Sequence, residues 1–244
     1  MNKPDIGEQA VSKAAEVGIE TQLDDVEEVD VDIRTNPLDL AGGKLESVTV
    51  DGKGMVMQKD LRAERLVLAT DSIEIDSLKA AFGDIELEQN TDAEAKIVLL
   101  EEDIQRAFNS GYIKNKLQNR QVDLDGETVT VDVNNIQFSL PGEEKVSIKA
   151  DLKIGETDTD KHISLSAKPT IDANGNKIAL ENVEYPDGEE GNPELTKAII
   201  ESTEEILDLR NFELDEMSLQ IDKLDVRKGK ITIAGSALIR EFPD

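Results

Sequence analysis

Along residues 93–112, A-E-A-K-I-V-L-L-E-E-D-I-Q-R-A-F-N-S-G-Y, the apolar positions change period without an intervening loop. Ala93, Ala95, Ile97 and Leu99 recur at every second residue, the spacing of a strand with one buried face. Ile104, Ala107 and Phe108 follow at helical spacing, so the pattern predicts a strand that runs straight into a helix.

The same reading divides the whole chain, taken as one domain over 1–244, into alternating stretches. A helix over 5–22 is followed by strands through 26–100, a helical stretch over 101–117, strands through 122–185, a helix over 193–208 and strands through 212–240. Asp5 and Glu8 have the spacing of a capping box. Ile6, Ala10, Ala14 and Val17, with Val11 beside them, are expected to line the buried face of the first helix. Six acids in residues 24–32 alternate with Val26, Val29, Val31 and Ile33, as in a strand with one solvated face. Val48, Val50, Gly52, Gly54 and Val56 alternate next, after Pro37 and a turn at Gly42–Gly43. Lys59–Asp60 marks a turn, and the apolar parity then changes between Ala63 and Leu66 and again before Ile73, which predicts bulges and a curved sheet. Ser77–Phe82, with Gly83 as C-cap, reads as a short helix, and Ile85 and Leu87 as strand.

In the second half Val129, Val131 and Val133 alternate, as do the even positions from Val146 to Ile154, then Ile163, Leu165 and Ala167. Turns are expected at Pro141–Gly142, Thr157–Lys161, Asn174–Gly175 and Lys228–Gly229. After a polar loop at 185–191, Asn192 and Pro193 open a helix with Leu195, Ile199, Ser202 and Ile206 as its buried stripe. Phe212, Leu214, Met217, Leu219 and Ile221, then Ile231 and Ile233, read as closing strands. Hairpin turns with few helices between them favour an α+β fold built on a large, strongly curved antiparallel sheet.

Composition narrows the function. The 27 basic residues face 54 acidic ones, a net charge of -27, which repels nucleic acid and anionic lipid surfaces. Cysteine is absent, so there is no thiolate ligand or nucleophile. Aromatics make up only 3% and Trp is missing, so the core must be aliphatic. The apolar runs, such as Ile97–Leu100, are too short to span a bilayer, and the opening residues are not expected to form a signal peptide. A cytoplasmic protein is expected, peripheral to a membrane at most.

Candidate chemistry is sparse. His162 is the single histidine and fits an exposed strand start. Asp172–Lys177 begins like a calcium loop but lacks Gly at the sixth position and an acid at the twelfth, where Val183 stands. Glu101, Glu102 and Asp103 suit the first turn of a helix, where they meet its dipole favourably. We therefore expect no catalytic residue, no metal ligand and no cofactor. Curved strands with aliphatic inner faces could enclose an apolar groove, with Val48, Val50, Val56, Ile97 and Leu99 on strands and Ile104 and Phe108 on the helix. The same side chains could simply fill a core, and periodicity alone favours that alternative: a structural or interaction module with no ligand.

Three runs are also familiar: G-G-K-L-E-S-V-T-V-D-G-K-G, D-L-R-A-E-R-L-V-L-A-T-D-S-I-E-I-D and A-E-A-K-I-V-L-L-E-E-D-I-Q-R-A-F-N-S. Together they resemble the LmeA-like phospholipid-binding family, most strongly over 5–115 and more weakly through to Phe242. The resemblance implies a tubular lipid-binding type of fold, in which a twisted antiparallel sheet wraps around a few amphipathic helices. It also implies a non-enzymatic partner for phospholipid or another hydrophobic small molecule, with transient membrane contact. Actinobacterial members are usually exported or anchored, whereas this chain is closer to the soluble cyanobacterial type.

Overall fold

The computed structural model describes residues 6–36, 38–39, 42–57, 61–75, 87–124, 126–155, 159–186, 193–211 and 217–240. In chain order these form α1 (Ile6–Gln22), β1 (Glu28–Arg34), β2 (Lys44–Leu45), β3 (Ser47–Met57), β4 (Leu61–Thr70), β5 (Ile73–Glu74), β6 (Thr91–Leu100), α2 (Glu101–Phe108) and α3 (Gly111–Leu117). There follow β7 (Arg120–Leu124), β8 (Glu127–Gly142), β9 (Lys145–Ile154), β10 (Thr159–Ile171), β11 (Ile178–Glu184), α4 (Pro193–Ile206), a 3-10 turn (Leu209–Asn211), β12 (Met217–Arg227) and β13 (Lys230–Ile239). The class is α+β, and the antiparallel strands curl into a half-barrel. Six strands pair in the order β1-β3-β4-β6-β13-β12 and five in the order β11-β10-β9-β8-β7, with β2 and β5 as a small separate pair.

Sharp bending enters at glycine. Lys53 opposes Arg65 and Met55 opposes Ala63, so β3 and β4 stay in register through their change of parity. The expected bulge between Ala63 and Leu66 is therefore a local twist of both strands. Gly54 makes it, at φ +59°, a backbone state that side chains disfavour. Beside it, a Cβ on Gly52 would lie 2.1 Å from the Met55 sulfur, so the missing side chain is the space that Met55 fills. The second parity change, before Ile73, is a strand break: β4 ends at Thr70 and Ile73 pairs instead with Leu45. Register shifts do occur in the β8–β9, β10–β11 and β12–β13 pairs, and in β8 the buried positions change parity with the shift, from Val131 and Val133 to Ile136 and Phe138.

Edges explain the helices. β1 borders the six-stranded sheet, and its alternate amides would otherwise be unpaired. α1 supplies acceptors at a spacing of four residues. Glu16 Oε1 takes the Val31 N–H at 3.4 Å, Ser12 Oγ the Ile33 N–H at 3.2 Å and Glu8 Oε1 the Thr35 N–H at 2.9 Å. That duty rotates the helix away from the face its apolar spacing suggested. Ala10, Ala14 and Val17 are exposed, Val17 by 50%, while Ile19 is buried and Val11 and Ala15 pack beside it.

α2 covers the part of β8 that β7 does not reach, as the next subsection describes. α4 does the same for β11, where Glu204 Oε1 accepts the Leu180 N–H at 2.9 Å. The buried stripe of α4 is the expected one, with Leu195, Ile199, Ser202 and Ile206 all inside.

Other boundaries shift for local reasons. The 101–117 stretch is two helices, broken at Asn109–Ser110 so that Ser110 Oγ can accept the Ile113 N–H and cap α3. The β8–β9 hairpin turns at Glu143–Glu144, both at positive φ, and not at Pro141–Gly142. Thr159–Lys161 is already strand. After α4 the chain takes a 3-10 turn before its closing strands. Asp5, Pro37, Lys59–Asp60, Ser77–Phe82, Gly83, Ile85, Thr157, Asn192, Phe212 and Leu214 lie outside the described residues.

Removing the α1 acceptors tests the edge cover. In a Ser12→Ala/Glu16→Ala variant, amide exchange at Val31 and Ile33 should quicken by about tenfold, equivalent to ~1.4 kcal/mol of lost protection. Exchange at Ile97 and Ile233, in the sheet centre, should not change.

Candidate functional site

Where β6 becomes α2, Leu100 keeps an extended backbone and no side chain caps the helix. The cap is replaced from a distance: the Glu101 N–H donates to the Gly229 carbonyl in the β12–β13 turn at 3.0 Å. One turn apart on the helix, Glu101 and Gln105 address the open edge of β8. Glu101 Oε2 accepts the Leu140 N–H, Gln105 Oε1 accepts the Phe138 N–H at 2.6 Å, and Gln105 Nε2 donates to the Ile136 carbonyl at 2.8 Å. The opposite side of α2 packs inward through Ile104, Ala107 and Phe108. The Phe108 ring lies 5.9 Å from that of Phe138, tilted by 33°. α2 thus sits between β4 and β6 on one side and β8 on the other.

An ion pair fixes its depth. The Asp103 side chain is only 1% exposed and receives both contacts of Arg62 Nη1, at 3.1 and 3.0 Å. Arg62 also reaches Glu64 at 3.0 Å and Glu27 at 2.6 Å, and Arg106 approaches Asp103 at 3.3 Å. Burial pushes the Asp103 carboxyl upward, against the pull of Arg62. Burial works downward on Arg62, yet its three carboxylate partners outweigh it and hold the guanidinium above its ordinary value. Glu101 and Asp103, expected simply to meet the helix dipole, are also the bonds that dock the helix.

The sequence-predicted groove residues largely converge. Val48, Ile97, Leu99, Ile104 and Phe108 are buried in one continuous core, and Val50 is half-buried against it. Val56 is half-buried and outside that core, because the twist at Gly54 turns Met55 inward instead, with no exposed surface. His162 is exposed and 2.6 Å from Asp151. Among the described residues no group of three or more His, Cys, Asp or Glu could hold a metal ion.

Two features at the seam of α3 and α4 escaped the sequence pattern. A polar groove of about 550 Å³ lies between the β10–β11 loop, the end of α4 and the 3-10 turn, with Asp172, Lys177, Glu204, Glu205, Arg210 and Asn211 in its walls. It shares Glu205 and Asn211 with a small apolar crevice of about 10 Å³, bounded by Leu61, Tyr112, Ile113 and Ile206. Across the seam the Tyr112 hydroxyl donates to Glu205 at 2.6 Å, and Lys116 Nζ donates to both oxygens of the same carboxylate, at 2.6 Å to Oε2. The Glu205 bond is the largest of the causes that raise the Lys116 pKa. Asp172 organises the groove loop by accepting the N–H groups of Asn176 and Lys177, each at 3.1 Å. Burial works upward on its carboxyl but is outweighed by backbone N–H donors, led by Lys177, which hold it below the usual range.

The fold is an aliphatic antiparallel half-barrel closed on short helices. Residues 4–236 match the LmeA-like phospholipid-binding family, and the chain belongs to that family. No curated protein and no solved structure matches it. Among the described residues no helix is long and apolar enough to cross a membrane.

Unequal costs are expected from the two halves of the ion pair. Arg62→Met leaves the buried Asp103 carboxylate to the more exposed Arg106 and should cost about 3 kcal/mol in urea unfolding. Asp103→Asn leaves Arg62 with Glu27 and Glu64 and should cost clearly less. The lowered Asp172 pKa adds stability that is present above the unfolded value of about 3.9 and lost as pH falls through the folded value. Asp172→Asn should therefore flatten the loss of stability below about pH 4.

Proposed function

We propose that the protein binds and carries a phospholipid or other acyl-chain ligand without catalysing a reaction. The family match carries this reading, and the aliphatic layer between the six-stranded sheet and α2 supports it. Val48, Val50, Ile97, Leu99, Ile104 and Phe108 are the groups proposed to meet the acyl chains. Each methylene taken out of water is worth about 0.8 kcal/mol, so affinity would build along the chain without a dominant residue. Because these side chains already belong to or pack against one filled core, the ligand enters by displacing them, as in selection of a more open conformation. The same reading treats residues 1–244 as one domain and places it in the cytoplasm, with transient contact to membranes. A net charge of -27 favours zwitterionic over anionic surfaces.

One observation favours a second reading. Phe108, Leu66, Ile97 and Leu99 are almost without exposed surface, as expected of an interaction module with a filled core and no ligand. Solvent extraction of the purified protein, followed by lipid mass spectrometry and titration with a fluorescent fatty acid, separates the two. The carrier reading expects a co-purifying acyl lipid and saturable uptake of the probe. A lipid-free extract together with no uptake contradicts it and leaves the filled-core module.

A further inference from the structure

We propose that the seam between α3 and α4 is the passage by which an acyl chain reaches the interior, with Glu205 as its latch. This rests on the lipid-binding reading above. The crevice in the seam is small but well placed. Leu61, Ile113 and Ile206, which bound it, belong to the same core as Ile104 and Phe108. Widening it would lead an apolar chain inward without breaking any strand pairing. Outside the crevice lies the polar groove, which shares Glu205 and Asn211 with it, so a polar headgroup can stay in water while the chain goes in.

The helices differ in how they are held. α2 is bonded to the backbone of β8 and to the buried Asp103–Arg62 pair. The latch between α3 and α4 joins side chains: Tyr112 and Lys116 on one helix converge on Glu205 of the other, with Lys116 Nζ 4.7 Å above the Tyr112 ring. The Lys116 side chain is 43% exposed and that of Glu205 29%, so water can replace these bonds as they open. Just past α3, Gln118 Nε2 donates to the Val133 carbonyl at 2.9 Å and the Asn119 N–H to Asp132 at 2.8 Å. Those bonds give α3 a fixed end from which to swing.

Transfer of pyrene-labelled phosphatidylcholine from neutral vesicles, followed by stopped flow, tests the passage. Glu205→Ala should speed uptake by about tenfold, since the latch opposes opening. A Lys116→Cys/Glu205→Cys variant, in a chain with no other cysteine, should also be fast. Bridging those thiols with a short bis-maleimide should then stop uptake. A bridged protein that loads as fast as the unbridged one, or a Glu205→Ala protein that folds normally and loads at the wild-type rate, overturns the latch and leaves lipid binding standing. No uptake by any of the proteins, wild type included, overturns the binding reading and the passage with it.

Discussion

Unpaired backbone at the borders of curved sheets is the constraint that shapes this protein. A half-barrel that does not close leaves rows of N–H and C=O groups, each costly to bury without a partner and open to pairing with another chain if exposed. Here helices answer it with side chains set one turn apart. Glu8, Ser12 and Glu16 serve β1, Glu101 and Gln105 serve β8, and Glu204 serves β11. These three helices are thereby placed and oriented by their polar sides as much as by their apolar ones. α2 shows the consequence most fully, since Glu101 and Gln105 fix one side while Ile104 and Phe108 fill the interior on the other.

That arrangement also explains which parts of the fold could be read along the chain. The passage from β6 into α2 was legible because both periods are strong and local, and the buried stripe of α4 for the same reason. The face of α1 was misread because its orientation answers to the amides of β1, which the apolar spacing of α1 does not encode. Val56 is only half-buried, and Gly54 at positive φ beside the inward Met55 is a backbone feature that the alternation does not encode. The Tyr112–Glu205 contact joins residues far apart in sequence, with no motif at either end. The polar groove is assembled from two distant stretches, 172–177 and 201–211, and had no local signal.

The functional account follows from the same physics. Among the described residues no group of three or more His, Cys, Asp or Glu could hold a metal ion, and what the largely aliphatic interior offers is the exclusion of water. A non-directional force of this kind recognises length and bulk rather than particular groups. It suits ligands of the class named by the family. The rigid attachment of α2 and the softer, water-accessible joining of α3 to α4 divide the interior between a fixed wall and a movable one.

The central claim is that an acyl chain lodges between the six-stranded sheet and α2. Methyl-resolved NMR during titration with a short-chain phosphatidylcholine, kept below its micelle concentration, tests it most directly. The account predicts saturable shifts, and contacts to acyl protons, at the methyl groups of Ile97, Leu99 and Ile104. Saturable binding whose shifts stay on exposed methyls such as Val17, with those three unmoved, would contradict it.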